Sequence, residues 1–362
     1  MKSNYRYIVK AFMAMAVIAG TTSCDDFLDR EPMSSISPET YYSTAAQLEA
    51  NLNDEYPNVL PSFGQWTYGI FGEDKGTDNQ IEVNANDRYT QDRWKVPHSE
   101  SDNWKFERIY RINFFLSEAL PKFGEDMIGS QNTISGSVAT IKHYIGEMYF
   151  LRAYEYFKKL QLFGDFPIIN QPLADEMEAL REASKRFPRN EVARFIISDL
   201  DKAYAYMSDV DMATTRINKD AAMLVKSRVA LFEATWLQNF KGTAFVPGGE
   251  GWPGASLHNN YQYPSGNIDN EVKYFLEQAV EASKLVADKY KGSLTENTGV
   301  LQQSADDPSN PYFDMFAQED LSDVKEVLLW RQYARGLSTH NINAAAGRGN
   351  YRIGLTRGFV QN

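Results

Sequence analysis

The side chains able to do chemistry in this 362-residue chain are numerous but poorly grouped. Its four histidines, His98, His143, His258 and His340, are scattered, and no HExxH, C-x-x-C or GxSxG spacing accompanies them. Gly249, Gly251 and Gly254 fit the G-x-G-x-x-G pattern. Trp252 and Pro253 sit inside that match, and it lacks the strand before and the helix after that pyrophosphate binding requires. Glu73 and Asp74, with Asp78 and Glu82, make an acidic loop that could hold a hard cation such as calcium. The twelve-residue EF-hand order is absent, so a solvated acidic loop is the simpler reading. The 48 acidic residues offer many pairs that could flank a glycosidic bond, and spacing selects none of them. The expectation is a protein with no catalysis, no cofactor and no metal.

Two segments nevertheless look built for contact. Residues 62–100 scatter Gly64, Gly69, Gly72 and Gly76 among Trp66, Tyr68, Phe71, Tyr89 and Trp94, with no sustained helical period. Residues 242–267 repeat that composition, running Gly248-Gly249-Glu250-Gly251-Trp252-Pro253-Gly254 and then Tyr261 and Tyr263. Loops of this length inside a compact domain are either functional or disordered, and their aromatic density argues against disorder.

The elements that must position these loops are helical. The stretch Gly146 to Ile169 is the longest such pattern: Ile145, Met148, Tyr149, Arg152, Tyr156, Leu160 and Phe163 recur at spacings of three and four, forming one buried stripe. Glu155 precedes Lys158 and Lys159 by three and four, which predicts a water-facing side with weak ion pairs. Gly164 and Phe166-Pro167 stop the helix near Phe163, and its start is expected near Val138. Earlier, Ser37-Pro38-Glu39 predicts an N-cap and first turn for a helix reaching about Tyr56, where Pro57 and Pro61 end it. A second pattern runs from Asn103 to Leu120, ending at Pro121. Asn190 is read as the N-cap of a helix reaching Met207. Asn218 to Phe240 follows, with Ala221, Ala222, Leu224, Val225, Val229, Phe232 and Trp236 inward, and Asp269 to Tyr290 comes after it. Glu326 to Arg331 is the one expected strand. Pairs spanning roughly 103–163 and 190–240, then 269–290, predict a mostly α fold of tetratricopeptide-like helical hairpins. Each pair has an apolar stripe it cannot bury alone, so neighbours share a core.

The chain opens with an export signal. Lys2, Arg6 and Lys10 precede the apolar run Ala11 to Gly20, too short to span a bilayer, and Thr21-Thr22-Ser23 leads into Cys24, the sole cysteine. A lone thiol there is expected to accept a lipid. After removal of residues 1–23 the chain holds 34 basic and 48 acidic residues, a net charge of −14. That sign disfavours nucleic acid and leaves acyl chains, rather than basic patches, as the membrane link.

With these segments placed, the sequence resembles the SusD/RagB family of outer-membrane nutrient-binding lipoproteins. The resemblance rests on Cys24 followed by Phe27-Leu28-Asp29 and Pro32; on Arg152-Ala153 with Leu160, Phe163-Gly164 and Pro167; on Asp199-Leu200 with Ala203; on Ala221 with Arg228 and Leu231; and on Tyr312-Phe313 through Glu326-Val327. It implies four tetratricopeptide-like units and a variable, loop-rich ligand surface. It also implies a lipoprotein that caps a TonB-dependent (SusC-like) outer-membrane transporter and captures glycans for import, with Asp25 and Asp26 resembling a surface-export signal. The expected division is a signal peptide over 1–23, a SusD-like N-terminal region over 24–240 and the start of the RagB/SusD C-terminal region over 241–362. Family members usually continue beyond the point matching Gly358-Phe359-Val360.

Glycan recognition uses flat aromatic faces beneath apolar C–H patches, flanked by groups that bond hydroxyls. The loop candidates are Trp66, Tyr68, Asp74, Asp78, Arg93, Trp94 and Trp252. The bland alternative for each is a loop anchor packed on the helices. Trp104, Trp236 and the Tyr149–Tyr156 stripe are expected in the core, and Arg152 is expected to pair with a carboxylate such as Asp199. Two rival functions stay open: an assembly subunit of the transporter that binds no sugar, and a glycoside hydrolase.

Overall fold

The structure is a computed structural model that describes residues 41–61, 74, 76–82, 103–124, 126–208, 212–300, 304, 306–334, 339 and 353–361. Cys24, Ser37, Trp66, Tyr68, Arg93 and Trp94 lie outside the described residues. The fold is mostly α, in the helical-repeat arrangement expected. Helices α1 (Ala45–Val59), α2 (Glu107–Phe123) and α3 (Val138–Phe163) come first, then the short α4 (Met177–Ala183), α5 (Arg189–Tyr206), α6 (Lys219–Asn239) and α7 (Ile268–Tyr290). Two short helices, α8 (Pro311–Ala317) and α9 (Arg357–Gln361), follow. None of the described helices is long and apolar enough to cross a membrane.

Local sequence explains most helix ends, with instructive exceptions. Helix α1 opens at Thr44, whose hydroxyl accepts the Gln47 N–H while the Gln47 side chain accepts the Thr44 N–H, a reciprocal capping box. It ends at Val59, not Tyr56, and α2 ends at Phe123, not Leu120, because Pro57 and Pro121 lie inside the closing turns. A proline forfeits its own bond to the carbonyl four residues back without preventing the residues after it from making theirs. Leu60 and Gly124 accordingly donate to the carbonyls of Tyr56 and Leu120. Helix α3 has the bounds read from the sequence, capped by Ser137 and released by Gly164 at φ 68°. Helix α6 is capped by the Asn218 side chain on the Ala221 N–H.

Asn190 is not a cap. It lies inside α5, fully buried, and donates 3.0 Å to Glu271 Oε1 on α7, while Pro188 takes the N-cap position. Leu224, expected inward, is 44% exposed.

Packing is serial. Helix α2 packs on α3, α3 on α5, α5 on α6 and α6 on α7, with α1 also against α3, so one continuous apolar core runs through the hairpins. Helix α3 is therefore surrounded. Ile145, Met148, Tyr149, Arg152, Tyr156 and Leu160 are buried as the stripe requires. The side expected to face water is buried too: Glu155 is 2% and Lys159 6% exposed, Lys159 approaching Glu155 at 3.3 Å and donating to the Asn103 carbonyl at 2.7 Å. Gly146 explains how α5 comes so near, because a Cβ there would stand 2.8 Å from the Met207 backbone nitrogen and 2.9 Å from the Ala203 carbonyl oxygen.

The strand expected at Glu326–Arg331 is absent from the structure. Its backbone bonds are irregular: Trp330 donates to the Thr214 carbonyl, and the Leu328 carbonyl accepts from the Asn218 side chain. The described strands are β1 (Gln80–Glu82) and β2 (Ile353–Leu355), antiparallel, with Ile81 opposite Gly354. Residues around the apolar run pack on the helices instead, Leu328 and Leu329 lying against the core.

Candidate functional site

Three helix ends converge on one cleft. The C-terminus of α3 supplies Gln161, Leu162, Phe163 and Gly164, and its exit supplies Asp165. The entry to α5 supplies Arg186 and Arg189, the end of α6 supplies Trp236, and the α6–α7 loop supplies Ala244, Phe245, Trp252, Pro253, Gly254 and Leu257. The cleft measures about 500 Å³, inside the range usual for small-molecule sites. Its rim is apolar and solvent-facing: Leu162, Phe245 and Leu257 are all more than half exposed.

The polar groups at its floor are held from several sides. The Asp165 carboxylate accepts the Arg189 backbone N–H at 2.9 Å and the Trp252 indole N–H at 2.7 Å. Burial raises its pKa above the ordinary 3.8, those two bonds only partly opposing the shift. Arg189 is 3% exposed and pairs with the fully buried Glu233 through Nε and Nη2 at 2.8 to 3.1 Å, its guanidinium lying 4.1 Å from the Trp236 ring centre. Arg189 Nη1 has no hydrogen-bond partner among the described residues, and it lies 3.4 Å from where a Cβ on Gly164 would stand.

The glycines of the α6–α7 loop are explained by this packing. A Cβ on Gly249 would fall 1.9 Å from the Thr243 carbonyl oxygen, and one on Gly254 would fall 2.2 Å from the Trp252 ring. The G-x-G-x-x-G spacing thus lets a loop fold onto itself and lets an indole lie against the backbone, following a helix and not a strand.

The sequence candidates fall in different places. Trp252 is on the cleft wall but only 5% exposed, sandwiched near His258 and Tyr261, so it shapes the wall more than it offers a stacking face. Asp74 and Asp78 are exposed beside the β ribbon, where the Asp74 carbonyl accepts from Thr77, and no hydrogen bond, ion pair or ring contact joins them to Trp252. Trp66, Tyr68, Arg93 and Trp94 lie outside the described residues. No group of three His, Cys, Asp or Glu suited to a metal ion occurs among the described residues. Trp104 and Trp236, expected in the core, are half-buried: Trp104 carries the Arg186 guanidinium at 4.6 Å, and Trp236 donates its indole N–H to the Phe245 carbonyl.

Sequence reading missed the floor of this cleft. Asp165 and Arg189 stand in a turn and at a helix start without any spacing that announces a site. The one available signal was the conjunction of a helix stop at Gly164 with an adjacent carboxylate.

Serially stacked helical hairpins with a loop-walled cleft define a tetratricopeptide-like repeat scaffold. The SusD-like family described as "Starch-binding associating with outer membrane" matches residues 26–231, and the chain belongs to that family. SusD-like protein P25 of Formosa agariphila is 26% identical over 233 residues, covering 59% of this chain and 41% of the relative. SusD-like protein P2 of the same organism is 25% identical over 253 residues, covering 67% of this chain and 46% of the relative. The matches thus span less than half the length of these relatives. A solved SusD superfamily protein from Parabacteroides distasonis gives a TM-score of 0.45 at 19% identity, covering 69% of this chain and 46% of that one. The family is non-catalytic.

Proposed function

We propose that this chain is a cell-surface glycan-binding lipoprotein that captures oligo- or polysaccharide and delivers it to a partner TonB-dependent outer-membrane transporter. The observation that carries the reading is the family match across residues 26–231. The export signal and Cys24 support a lipid anchor at the outer membrane. The acidic mature chain disfavours nucleic-acid partners. On this reading residues 24–240 form the repeat-bearing N-terminal region, and residues 241–362 begin a C-terminal region. Trp66, Tyr68, Asp74, Asp78, Arg93 and Trp94 remain the loop residues proposed to meet sugar.

One observation favours the second reading, a scaffold subunit that binds no sugar itself: Trp252 is buried. Isothermal titration of the folded, unlipidated chain against a panel of polysaccharides and their oligosaccharides separates the two. Binding to at least one neutral glycan is expected. Silence across the panel, from a sample with a cooperative unfolding transition, leaves the scaffold. Lipidation is checked by mass spectrometry of the membrane-extracted protein, where Cys24→Ala should abolish the acyl mass.

A further inference from the structure

The cleft between α3, α5 and the α6–α7 loop combines features that stability alone does not require. Arg189 is more than nine-tenths buried, yet its Nη1 has no bond among the described residues and faces the space beside Gly164. That nitrogen opens onto the cleft, where it stands as a donor that a polar guest can take in place of water. Beside it, each Asp165 oxygen takes one N–H, which leaves each with further acceptor capacity. Both groups line the same cleft, so one guest hydroxyl can accept from Arg189 while another donates to Asp165. Above them stand the exposed side chains of Phe245, Leu162 and Leu257, which offer an apolar face. Phe245 is the most open of the cleft aromatics at 61%, while its backbone is fixed by the Trp236 indole bond to its carbonyl. Charge also fits a neutral guest. The Arg189 charge is matched by Glu233, and the Arg186 charge on the lining is offset by Asp165, so the cleft carries no net charge.

We propose that this cleft binds one pyranose unit of a neutral saccharide, with adjacent ring hydroxyls on Asp165 and Arg189 Nη1 and the apolar ring face against Phe245. This rests on the glycan-capture reading and assigns it residues other than the candidates of the 62–100 loop. The wall tryptophans supply a signal, because occupancy changes the surroundings of Trp236 and Trp252 and shifts their fluorescence.

The test titrates the full chain with maltoheptaose, laminariheptaose and mannohexaose, following heat and tryptophan emission. It then repeats the tightest titration on Phe245→Ala, Asp165→Asn and the loop variant Tyr68→Ala. Phe245 is exposed enough that its truncation leaves the fold intact, which the thermal midpoint verifies. The expected result is an affinity loss of about tenfold in Phe245→Ala and in Asp165→Asn, each with a smaller emission shift. Wild-type affinity retained in both cleft variants overturns the cleft while glycan capture stands. Absence of binding by the folded wild-type chain to every probe overturns both.

Discussion

Two buried arginines in this molecule make the same ion pair and differ in what is left over. In the seam between α3 and α5, Arg152 donates Nε and Nη2 to the Asp199 carboxylate at 2.6 and 2.8 Å. Its Nη1 goes to Asn113 Oδ1 at 2.9 Å and to the Asn170 carbonyl at 3.1 Å, so every nitrogen has an acceptor. At the other end of α5, Arg189 pairs with Glu233 in the same two-nitrogen manner, but its Nη1 faces a cleft. The saturated guanidinium locks two helices together. The unsaturated one locks two helices and keeps a donor for something else. Residue type and burial are equal in the two, so only the complete count of partners distinguishes a structural arginine from a binding one.

The largest effect that can break this comparison comes from Arg152→Met. Removing the cation leaves Asp199 buried without its partner, and the unfolding free energy should fall by about 3–5 kcal/mol. Chemical denaturation measures this. An unchanged stability with a loss of glycan affinity would show that the seam is a site after all. Asn113→Ala is the next step down, because it moves Arg152 toward Arg189 by removing one of the two acceptors of its Nη1, leaving the Asn170 carbonyl, and also strips the Ile169 carbonyl of a donor. A loss of roughly 1–3 kcal/mol is expected, with saccharide affinity untouched.

The double replacement Arg189→Met with Glu233→Leu sharpens the other side. Exchanging a buried pair for apolar residues of similar volume is often close to neutral for stability. Saccharide affinity should nevertheless drop by about tenfold, equivalent to about 1.4 kcal/mol, since the cleft donor has gone. A stable double variant with full affinity would make the two arginines equivalent and remove the distinction drawn between them.

The smallest expected effect is a pH dependence. Burial raises the Asp165 pKa above 3.8, so the folded state binds its proton more tightly than the unfolded chain does. The associated stability is present below the ordinary carboxylate value and is lost as pH rises through the raised one. Relative to Asp165→Asn, the wild-type chain should therefore lose stability with rising pH across that window, by an amount under about 1 kcal/mol after allowance for partial exposure. Matched pH series of the two proteins give the difference directly. Glu271 supplies a contrast of opposite sign. Burial alone would raise its pKa, but bonds from Arg194, Asn190 and Ser265 together hold it below the ordinary value, so its contribution is lost as pH falls.

The legibility of the fold and of the site differed for the same reason that these arginines differ. The bounds of α3, the start of α6 at Asn218 and the span of α7 could be read because a helix stop and an apolar stripe depend on residues within one or two turns. Arg152 with Asp199 was also within reach, since a cation on an apolar stripe needs a carboxylate and Asp199 lies on the next long helical stripe. Local information failed where a feature is defined by distant chain. Asn190 has the chemistry of a cap, yet its partner is Glu271, 81 residues away, so it became an interhelical bond. Glu155 and Lys159 have the spacing of a surface pair, yet serial packing covers both faces of α3.

By itself, the sequence determined the helical class, the order and ends of most of the repeats and the family, all of which are written in short-range periodicity or in motifs. Only the tertiary structure decided that Glu326–Arg331 docks as an irregular segment, that Trp252 turns its indole onto Asp165 across 87 residues, and that Arg189 keeps one nitrogen uncommitted above a cleft. Hydrogen-bond saturation and burial are properties of the whole packed chain, and no window of sequence contains all the partners that set them.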